Sequence, residues 1–155
     1  MSLFISLFAL ESIRRFYASS KTNTNTTHTE IKKSLHEFIT KNDKIQNAFL
    51  ITCVGSIRSA KLRMAHATSK HKNAFRSFKD KHEIVSLVGS LSKSGGHHLH
   101  ASLSDKDGNV YGGHVMEMDV FTTAEIVLGV TETQIFGRVF DEDTGFKELK
   151  VVVKD

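Results

Sequence analysis

From residue 83 to the C-terminus the chain consists of one short apolar or alternating segment after another, separated by turns rich in glycine and aspartate. Strands are predicted over residues 83–91, 97–104, 110–115, 124–133, 134–140 and 149–154. Many short strands with little helix between them are typical of an antiparallel sheet. The sequence therefore predicts an α+β fold, in which a mostly antiparallel β-sheet carries one or two flanking helices.

The segment before residue 83 supplies the predicted helix. Apolar residues at helical spacing predict an amphipathic helix over residues 29–42. Thr27 is expected at the cap, with Glu30 reaching back to it in a capping box. A length of 155 residues suits one domain, which we expect over residues 30–155. Residues 21–29, rich in Ser, Thr and Asn, are expected to be a linker.

Two further strands and a loop are predicted between the helix and residue 83. A continuous apolar run over residues 48–54 predicts a buried strand that ends at Gly55. The alternation over residues 57–64 predicts a second strand, half-buried, with a basic outer face. Residues 66–81 are polar and basic, so they are expected to form an exposed loop.

Residues 1–20 allow two interpretations. An apolar start followed by an arginine pair and serines is typical of a mitochondrial transit peptide cleaved after Tyr17, although Glu11 argues against it. The alternative is a disordered leader. The apolar run is too short for a membrane-spanning helix, so no membrane partner is expected. A single cysteine, Cys53, argues against secretion and predicts an intracellular location, mitochondrial if targeted and otherwise nuclear or cytoplasmic.

Charge is divided between the two halves of the chain. Residues 21–82 hold 13 Lys and Arg against 4 Asp and Glu, whereas residues 83–155 hold 6 against 12. This division suggests a basic face, self-association, or both. A basic stripe would bind nucleic-acid phosphates in a salt-dependent manner, but a solvated loop is the more common use of such charges. The candidate nucleic-acid residues are Arg58, Lys61, Arg63, Lys70, Lys72 and Arg76.

Three of the nine histidines fall on two neighbouring predicted strands. His98 and His100 share one face of a strand because strand side chains alternate. If residues 106–108 form a three-residue loop, His100 faces His114 across the hairpin, whereas a two-residue loop would turn His114 to the opposite face. Paired strand positions bring Cβ atoms to about 4.5–5.5 Å, close enough to share one ion.

Three neutral imidazoles with an open fourth position are the ligand set of a catalytic zinc ion. The sequence therefore predicts a site for zinc or another divalent metal at His98, His100 and His114. The alternative is a polar groove or a subunit interface lined by the same histidines without metal.

Several blocks, taken together and in this order, resemble the plant and prokaryote conserved (PPC) domain over roughly residues 44–155. They are Phe49–Ser56 (FLITCVGS), Ser59–Arg63 (SAKLR), Glu83–Leu91 (EIVSLVGSL), His98–Asp105 (HLHASLSD), Gly108–His114 (GNVYGGH) and Thr122–Gly129 (TTAEIVLG). The resemblance implies an α+β domain with an antiparallel sheet, assembled as a homotrimer. It also implies that the three histidines match the stand-alone, prokaryote-type members, in which these positions can hold a metal. The implied fold is similar to that of acetolactate decarboxylase.

The chain departs from the plant nuclear members of this family. The sequence KHEI at residues 81–84 stands where those proteins have Arg-Phe-Glu-Ile, and a chain without proline cannot carry the Gly-Arg-Pro core of an AT-hook. In the plant members the Arg-Phe-Glu-Ile block serves partner interaction, and the missing AT-hook core argues against binding to AT-rich minor grooves.

Two functions follow from the sequence. The first is a homotrimeric PPC-domain protein with a three-histidine divalent metal site, acting as an interaction or DNA-associated module with DNA or protein partners. In such a trimer the acidic residues Asp141, Glu142, Asp143 and Glu148 would face a neighbour's basic loop. The second is a small zinc-dependent enzyme of the lyase or hydrolase type that uses the same site. Glu125 is the candidate catalytic base, with Glu83 and Glu117 as the other acids available.

Overall fold

The computed structural model describes residues 12–19, 29–65, 74–94, 96–131 and 134–153. In this part of the chain there are one helix and eight strands. Their bounds are β1 Ser12–Ser19, α1 Ile31–Thr40, β2 Asn47–Arg63, β3 Phe75–Phe78, β4 His82–Ser92, β5 Gly96–Ser104, β6 Val110–Thr131, β7 Gln134–Asp141 and β8 Phe146–Val153. The α+β architecture predicted from the sequence is confirmed.

Six strands form one antiparallel sheet in the order β1-β6-β5-β4-β2-β3, and β2 also pairs with β6. Strands β6, β5, β4 and β2 therefore form a closed circuit of hydrogen-bonded neighbours. Strands β7 and β8 form a separate two-stranded sheet. The core lies where α1 packs on the larger sheet: Ile31, Leu35 and Ile39 are at most 1% exposed, as the i, i+4 spacing of an amphipathic helix requires.

The predicted capping box is wrong, although the helix itself is confirmed. Glu30 is the N-cap residue, with an extended backbone (φ −82°, ψ 124°), and its carboxylate accepts the Lys33 N–H at 2.7 Å. It stays extended because it forms a β-bridge with Asp119, and its second oxygen accepts the Met118 N–H at 3.2 Å. Thr27 lies outside the described residues.

The sequence suggested that a strand ends at Gly55, but β2 continues through this residue. Its φ is +146°, and a Cβ there would lie 2.1 Å from the Thr123 carbonyl oxygen. Glycine therefore allows β2 and β6 to approach closely, with the register shifts of β-bulges around it. In the same way, the two strands predicted over 110–115 and 124–133 are one strand, β6, since its middle pairs with the second half of β2.

The predicted loop over residues 66–81 is partly a strand. Phe75–Phe78 pairs with β2, and the Phe78 side chain is 7% exposed. Residues 66–73 lie outside the described part of the chain.

The N-terminal segment forms an edge strand that neither interpretation of residues 1–20 predicted. All eight residues of β1 pair with β6, from Ser12 opposite Val130 to Ser19 opposite Thr123. Residues 1–11 and 20–28 lie outside the description, and the transit peptide stays a prediction. Among the described residues, no helix has the length and apolar character needed to cross a bilayer.

Candidate metal centre

The β5–β6 hairpin has the register that brings the histidines together. The Asp105 N–H donates to the Asn109 carbonyl at 3.0 Å, and the Asp105 carboxylate accepts the Asn109 N–H at 2.9 Å, which closes a three-residue loop. His100 is therefore paired directly with His114. The register predicted from the sequence is confirmed.

The three imidazoles of His98, His100 and His114 converge. Their ring centroids are 4.9–5.3 Å apart, and one ligand nitrogen from each lies within 4.8 Å of the other two. The Nε2 atoms of His98 and His100 are 3.1 Å apart. Two nitrogens that each lie about 2.1 Å from a shared metal are separated by about 3.0–3.4 Å for angles between tetrahedral and square. The separation of these two nitrogens therefore fits joint coordination of one ion.

Burial and neighbouring cations keep the histidines neutral. Burial is the main cause that lowers the pKa of all three, and it lowers that of His114 to about 4. Positive charge adds to the effect: Arg63 acts on all three rings, and Arg138 acts on His98. The Nδ1 atom of His114 is also buried without a hydrogen-bond partner. Because a metal ligand must be a neutral imidazole, the donor set fits a divalent ion of the zinc type.

Glycines beside His114 allow three strands to meet there. A Cβ on Gly113 would lie 2.7 Å from the Arg63 carbonyl oxygen, and one on Gly112 would lie 2.9 Å from the Ala101 carbonyl oxygen. Neighbouring backbone therefore fills the space beside these two glycines, and His114 is held between β2 and β5.

Two cavities open beside the histidines. One, of about 490 Å³, is lined by Arg63, Phe146, His100 and His114 among others. The other, of about 530 Å³, is reached from His98 and His100 and has mainly apolar walls. It is lined by Phe49, Val88, Gly89, Ser90, Phe136, Arg138, Glu148 and Leu149 in addition to the two histidines.

Arg138 and Glu148 line the cavity beside the histidines, whereas the sequence did not suggest Arg138 at all and suggested Glu148 only for a subunit contact. Arg138 Nη1 lies 3.2 Å from His98 Nδ1, and its Nη2 donates to Ser90 Oγ at 3.2 Å. Both residues lie on the β7–β8 sheet, far from β5 in sequence, so no local spacing connects them with the histidines. Arg63, which the sequence suggested only for nucleic acid, pairs directly with His114.

The structure does not bring the predicted base, Glu125, to the histidines. Glu125 is exposed and pairs with Val54, eleven residues beyond His114 on the same strand. At about 3.3 Å per residue, that places it roughly 36 Å along β6 from His114. Glu83 and Glu117 are also exposed, opposite Ser104 and Lys61 on neighbouring strands.

The remaining histidines within the described ranges form no second cluster of metal ligands. His82 is buried, with Nδ1 2.8 Å from the Asp80 carbonyl oxygen and its ring in a T-shaped contact with that of Phe78. His97 is half-buried and is not a member of the cluster, and positive charge of Lys32, His36 and Arg138 acts on its ring. His28, His66 and His71 lie outside the description. Cys53 is a buried free thiol, as expected.

The candidate nucleic-acid residues are divided between two places. Arg58 and Arg76 line a groove of about 910 Å³, and Arg63 lies at the histidines. These arginines stack on aromatic rings that the sequence did not show as a platform: Arg76 lies 4.2 Å from the centroid of Tyr111, and Arg63 lies 4.7 Å from that of Phe146. Lys61 lies over Phe75 at 5.3 Å, whereas Lys70 and Lys72 are not described.

Comparison with known proteins identifies a family. The family model described as the Plants and Prokaryotes Conserved (PCC) domain matches residues 26–132. A "Bifunctional protein GlmU" from Synechococcus sp. strain JA-2-3B'a(2-13) is 35% identical over 123 residues, which are 79% of this chain. The chain spans about a fifth of the length of the curated relatives it matches, 18% and 19%.

Solved structures share the fold over nearly the whole chain. A metal-containing protein from Archaeoglobus fulgidus is 25% identical, with a TM-score of 0.75, and the match covers 97% of this chain and 99% of that one. A hypothetical protein from Salmonella is 28% identical, with a TM-score of 0.74 and coverage of 93% and 96%. A candidate DNA-binding protein from Bacteroides thetaiotaomicron is 22% identical, with a TM-score of 0.71 and coverage of 86% and 96%, and this likeness shows the fold alone.

Proposed function

Because the chain belongs to the Plants and Prokaryotes Conserved (PCC) domain family, we propose that it is a metal-binding member that acts as an interaction or DNA-associated module. His98, His100 and His114 bind one divalent cation, and zinc is the ion that best suits three neutral imidazoles. The observation that carries the proposal is the convergence of three imidazole nitrogens within 4.8 Å. The similar protein from Archaeoglobus fulgidus, described as metal-containing, supports it.

The metal site is tested by elemental analysis and zinc titration of chelator-stripped protein. Wild-type protein is expected to bind one zinc ion per chain. His100→Ala removes one of three ligands and is expected to reduce binding to the background level, since a two-histidine site offers half of a tetrahedral ligand set. His36→Ala is the matched control, because His36 is an exposed histidine on α1. Equal, background-level metal in all three proteins would refute the site.

The nucleic-acid role rests on the basic groove. Five basic residues line it together with aromatic rings, and they outnumber its three acids: Arg58, Arg76, Lys79, Lys81 and Lys106 against Asp80, Asp105 and Asp107. Phosphate contacts by such a groove give binding that weakens steeply with salt and tolerates changes of sequence. A gel shift with duplex DNA at about 50 and 200 mM salt tests it, with the Arg58→Ala, Arg76→Ala double variant expected to weaken binding. Lys41→Ala is the control, because Lys41 is the exposed C-cap residue of α1 and does not line the groove. The absence of any shift at low salt would leave a protein partner as the remaining proposal.

We further propose that the protein assembles as a homotrimer. Supporting this, apolar side chains outside the cavities at the histidines are exposed on the strands: Ile51, Val54 and Val85 on β2 and β4, and Val139, Phe140 and Val152 on β7 and β8. Covering such surface is a common reason for self-association. The acidic turn at residues 141–143 lies at the exposed end of the β7–β8 hairpin, where it can meet basic residues of a neighbour. Light scattering coupled to size exclusion tests the assembly, and a monomeric mass would refute it.

The second candidate function is a zinc-dependent enzyme of the lyase or hydrolase type. The cavity of about 530 Å³ beside His98 and His100 favours it, because a substrate could reach the metal ligands there. A bound zinc would supply a Lewis acid or an activated water. Glu148 is the carboxylate in that cavity, in place of the distant Glu125. Turnover of nitrophenyl esters and of 2-keto acids by zinc-loaded protein tests the enzyme; rates equal to those of His100→Ala would refute it.

A further inference from the structure

The hydrogen bond between Arg138 and His98 determines where the proton of His98 lies. Arg138 Nη1 is 3.2 Å from His98 Nδ1. A guanidinium has donors and no acceptor, so Nδ1 must accept this bond with its lone pair. A neutral imidazole then carries its proton on Nε2, the atom that lies 3.1 Å from His100 Nε2.

A metal ion on Nε2 of His98 is incompatible with that arrangement. Coordination uses the Nε2 lone pair, so the ring proton moves to Nδ1, where it would face an N–H of Arg138. Histidines that ligate a metal normally donate this second N–H to a carboxylate, a carbonyl or water. Glu148 lines the same cavity, and its negative charge acts on both His98 and Arg138. Its carboxylate is therefore the candidate acceptor for the Nδ1–H of a metal-bound His98.

We propose that metal binding releases Arg138 from His98 and turns its guanidinium to the carboxylate of a small, apolar carboxylic acid bound in the same cavity. This inference rests on the proposed metal site and names the ligand class of that site. The guanidinium fork matches a carboxylate with two parallel hydrogen bonds, and Ser90, already 3.2 Å from Nη2, holds the side chain on this side of the cavity.

The charges around the histidines favour an anionic ligand. Three neutral imidazoles leave the full double charge on a divalent ion, and Arg63 and Arg138 add two further positive charges beside it. Among the described residues that line these two cavities, Glu148 is the only acid, and it lines the cavity beside His98. One carboxylate does not balance these charges, so a second, supplied by the ligand, is favoured.

The walls of the cavity select the rest of the ligand. Phe49, Val88, Phe136 and Leu149 form the apolar part of the lining that also contains Arg138, His98 and His100. An apolar tail of a few carbons buried there would gain about 0.8 kcal/mol per CH₂ group. A monocarboxylate with a short aliphatic or aromatic tail therefore fits better than inorganic phosphate or a long polyanion.

Metal and carboxylate should consequently bind with positive and reciprocal linkage. Each ligand is expected to tighten the binding of the other by the same factor, within the range of about 5- to 150-fold that is typical of such coupling. The experiment is a zinc titration of chelator-stripped full-length protein by calorimetry, with and without saturating butyrate at constant ionic strength. Acetate tests the contribution of the tail, and 1-butanol tests the need for the charge.

We expect butyrate to tighten zinc binding by wild-type protein at least fivefold, with a smaller effect of acetate and none of 1-butanol. Arg138→Gln should still bind zinc but lose the butyrate effect. Arg138→Lys, which keeps the charge without the fork, should retain a reduced effect if the fold is intact by circular dichroism. Lys41→Gln is the control and should match wild type, because Lys41 is exposed at the C-cap of α1 and lines neither cavity at the histidines.

The outcomes separate the two proposals. Wild-type protein that binds zinc with an affinity independent of butyrate would overturn the inference and leave the metal site standing, as would an undiminished butyrate effect in Arg138→Gln. Protein that binds no zinc would overturn both.

Discussion

Replacing Gly113 by alanine tests whether the close approach of β2 to β6 holds His114 in place. The new Cβ would lie 2.7 Å from the Arg63 carbonyl oxygen and 3.3 Å from Leu62 Cβ. Leu62 is fully buried, so the overlap is relieved only if the two strands separate by several tenths of an ångström. Overpacking of this kind costs about 1–3 kcal/mol. Alanine also recovers about 0.5–1 kcal/mol of backbone entropy relative to glycine.

Gly137→Ala provides the matched control because it makes the same chemical change in a strand with room for it. The nearest atom to a Cβ at Gly137 is the Lys150 carbonyl oxygen, at an ordinary 3.7 Å. The entropy gain is common to both variants and cancels, so their unfolding free energies should differ by the overpacking cost alone, about 1–3 kcal/mol. Urea unfolding followed by circular dichroism, with a chelator present to remove any stabilisation by metal, measures this difference.

The same variant should weaken zinc binding, because strand separation at Gly113 displaces the adjacent His114 ring. Unfolding free energies of Gly113→Ala and Gly137→Ala that agree within about 0.5 kcal/mol would refute the reasoning, since the expected overpacking cost is at least about 1 kcal/mol. A destabilised Gly113→Ala with unchanged zinc affinity would show that the strand spacing does not govern the ligand geometry.

Three further predictions concern a helix cap, a buried amide and a buried thiol. Glu30→Ala removes the helix cap and the acceptor of the Met118 N–H on β6, so it should lower the free energy of unfolding in urea by about 1–2 kcal/mol. The control, Glu37→Ala, removes an exposed ion pair and should lower it by less than about 0.5 kcal/mol. Equal losses in the two variants would contradict the capping role. Asn47→Ala removes the acceptor 2.7 Å from the Phe136 N–H and should cost about 1–3 kcal/mol while loosening the β7–β8 sheet, seen as faster amide exchange there. Burial, with a smaller effect of Glu125, raises the pKa of Cys53 to about 12. The thiolate fraction of Cys53 at pH 8 is therefore about a thousandfold below that of an ordinary thiol, and Ellman's reagent should react with it only after unfolding. Rapid labelling of the native protein would contradict this.

The sequence was sufficient for the histidine hairpin because every step of that inference is local. Alternation places His98 and His100 on one face, and the turn chemistry of residues 105–109 sets a register that carries His114 opposite His100. Hydrogen bonds within a hairpin connect residues close in sequence, so their pattern follows from loop length.

The ends of the strands were harder to predict from the sequence, because they depend on residues far away in the chain. Gly55 looks like a strand end in the sequence, since glycine weakens strands. Its actual role depends on the Thr123 carbonyl, 68 residues away along the chain, which approaches so closely that only glycine fits. The strand character of residues 12–19 likewise depends on an unpaired edge of β6 that no local pattern reveals.

By itself, the sequence determined the α+β class, the amphipathic helix and the three imidazoles that converge in the β5–β6 hairpin. Only the tertiary structure decided what surrounds them: Arg63 lies beside His114, and Arg138 and Glu148 lie beside His98. It also placed Glu125 eleven residues from His114 along β6. The physical reason is the range of the interactions. Alternation and turn geometry act between residues close in the chain, whereas charge and cavity walls are assembled by β7 and β8, whose positions depend on packing against the larger sheet.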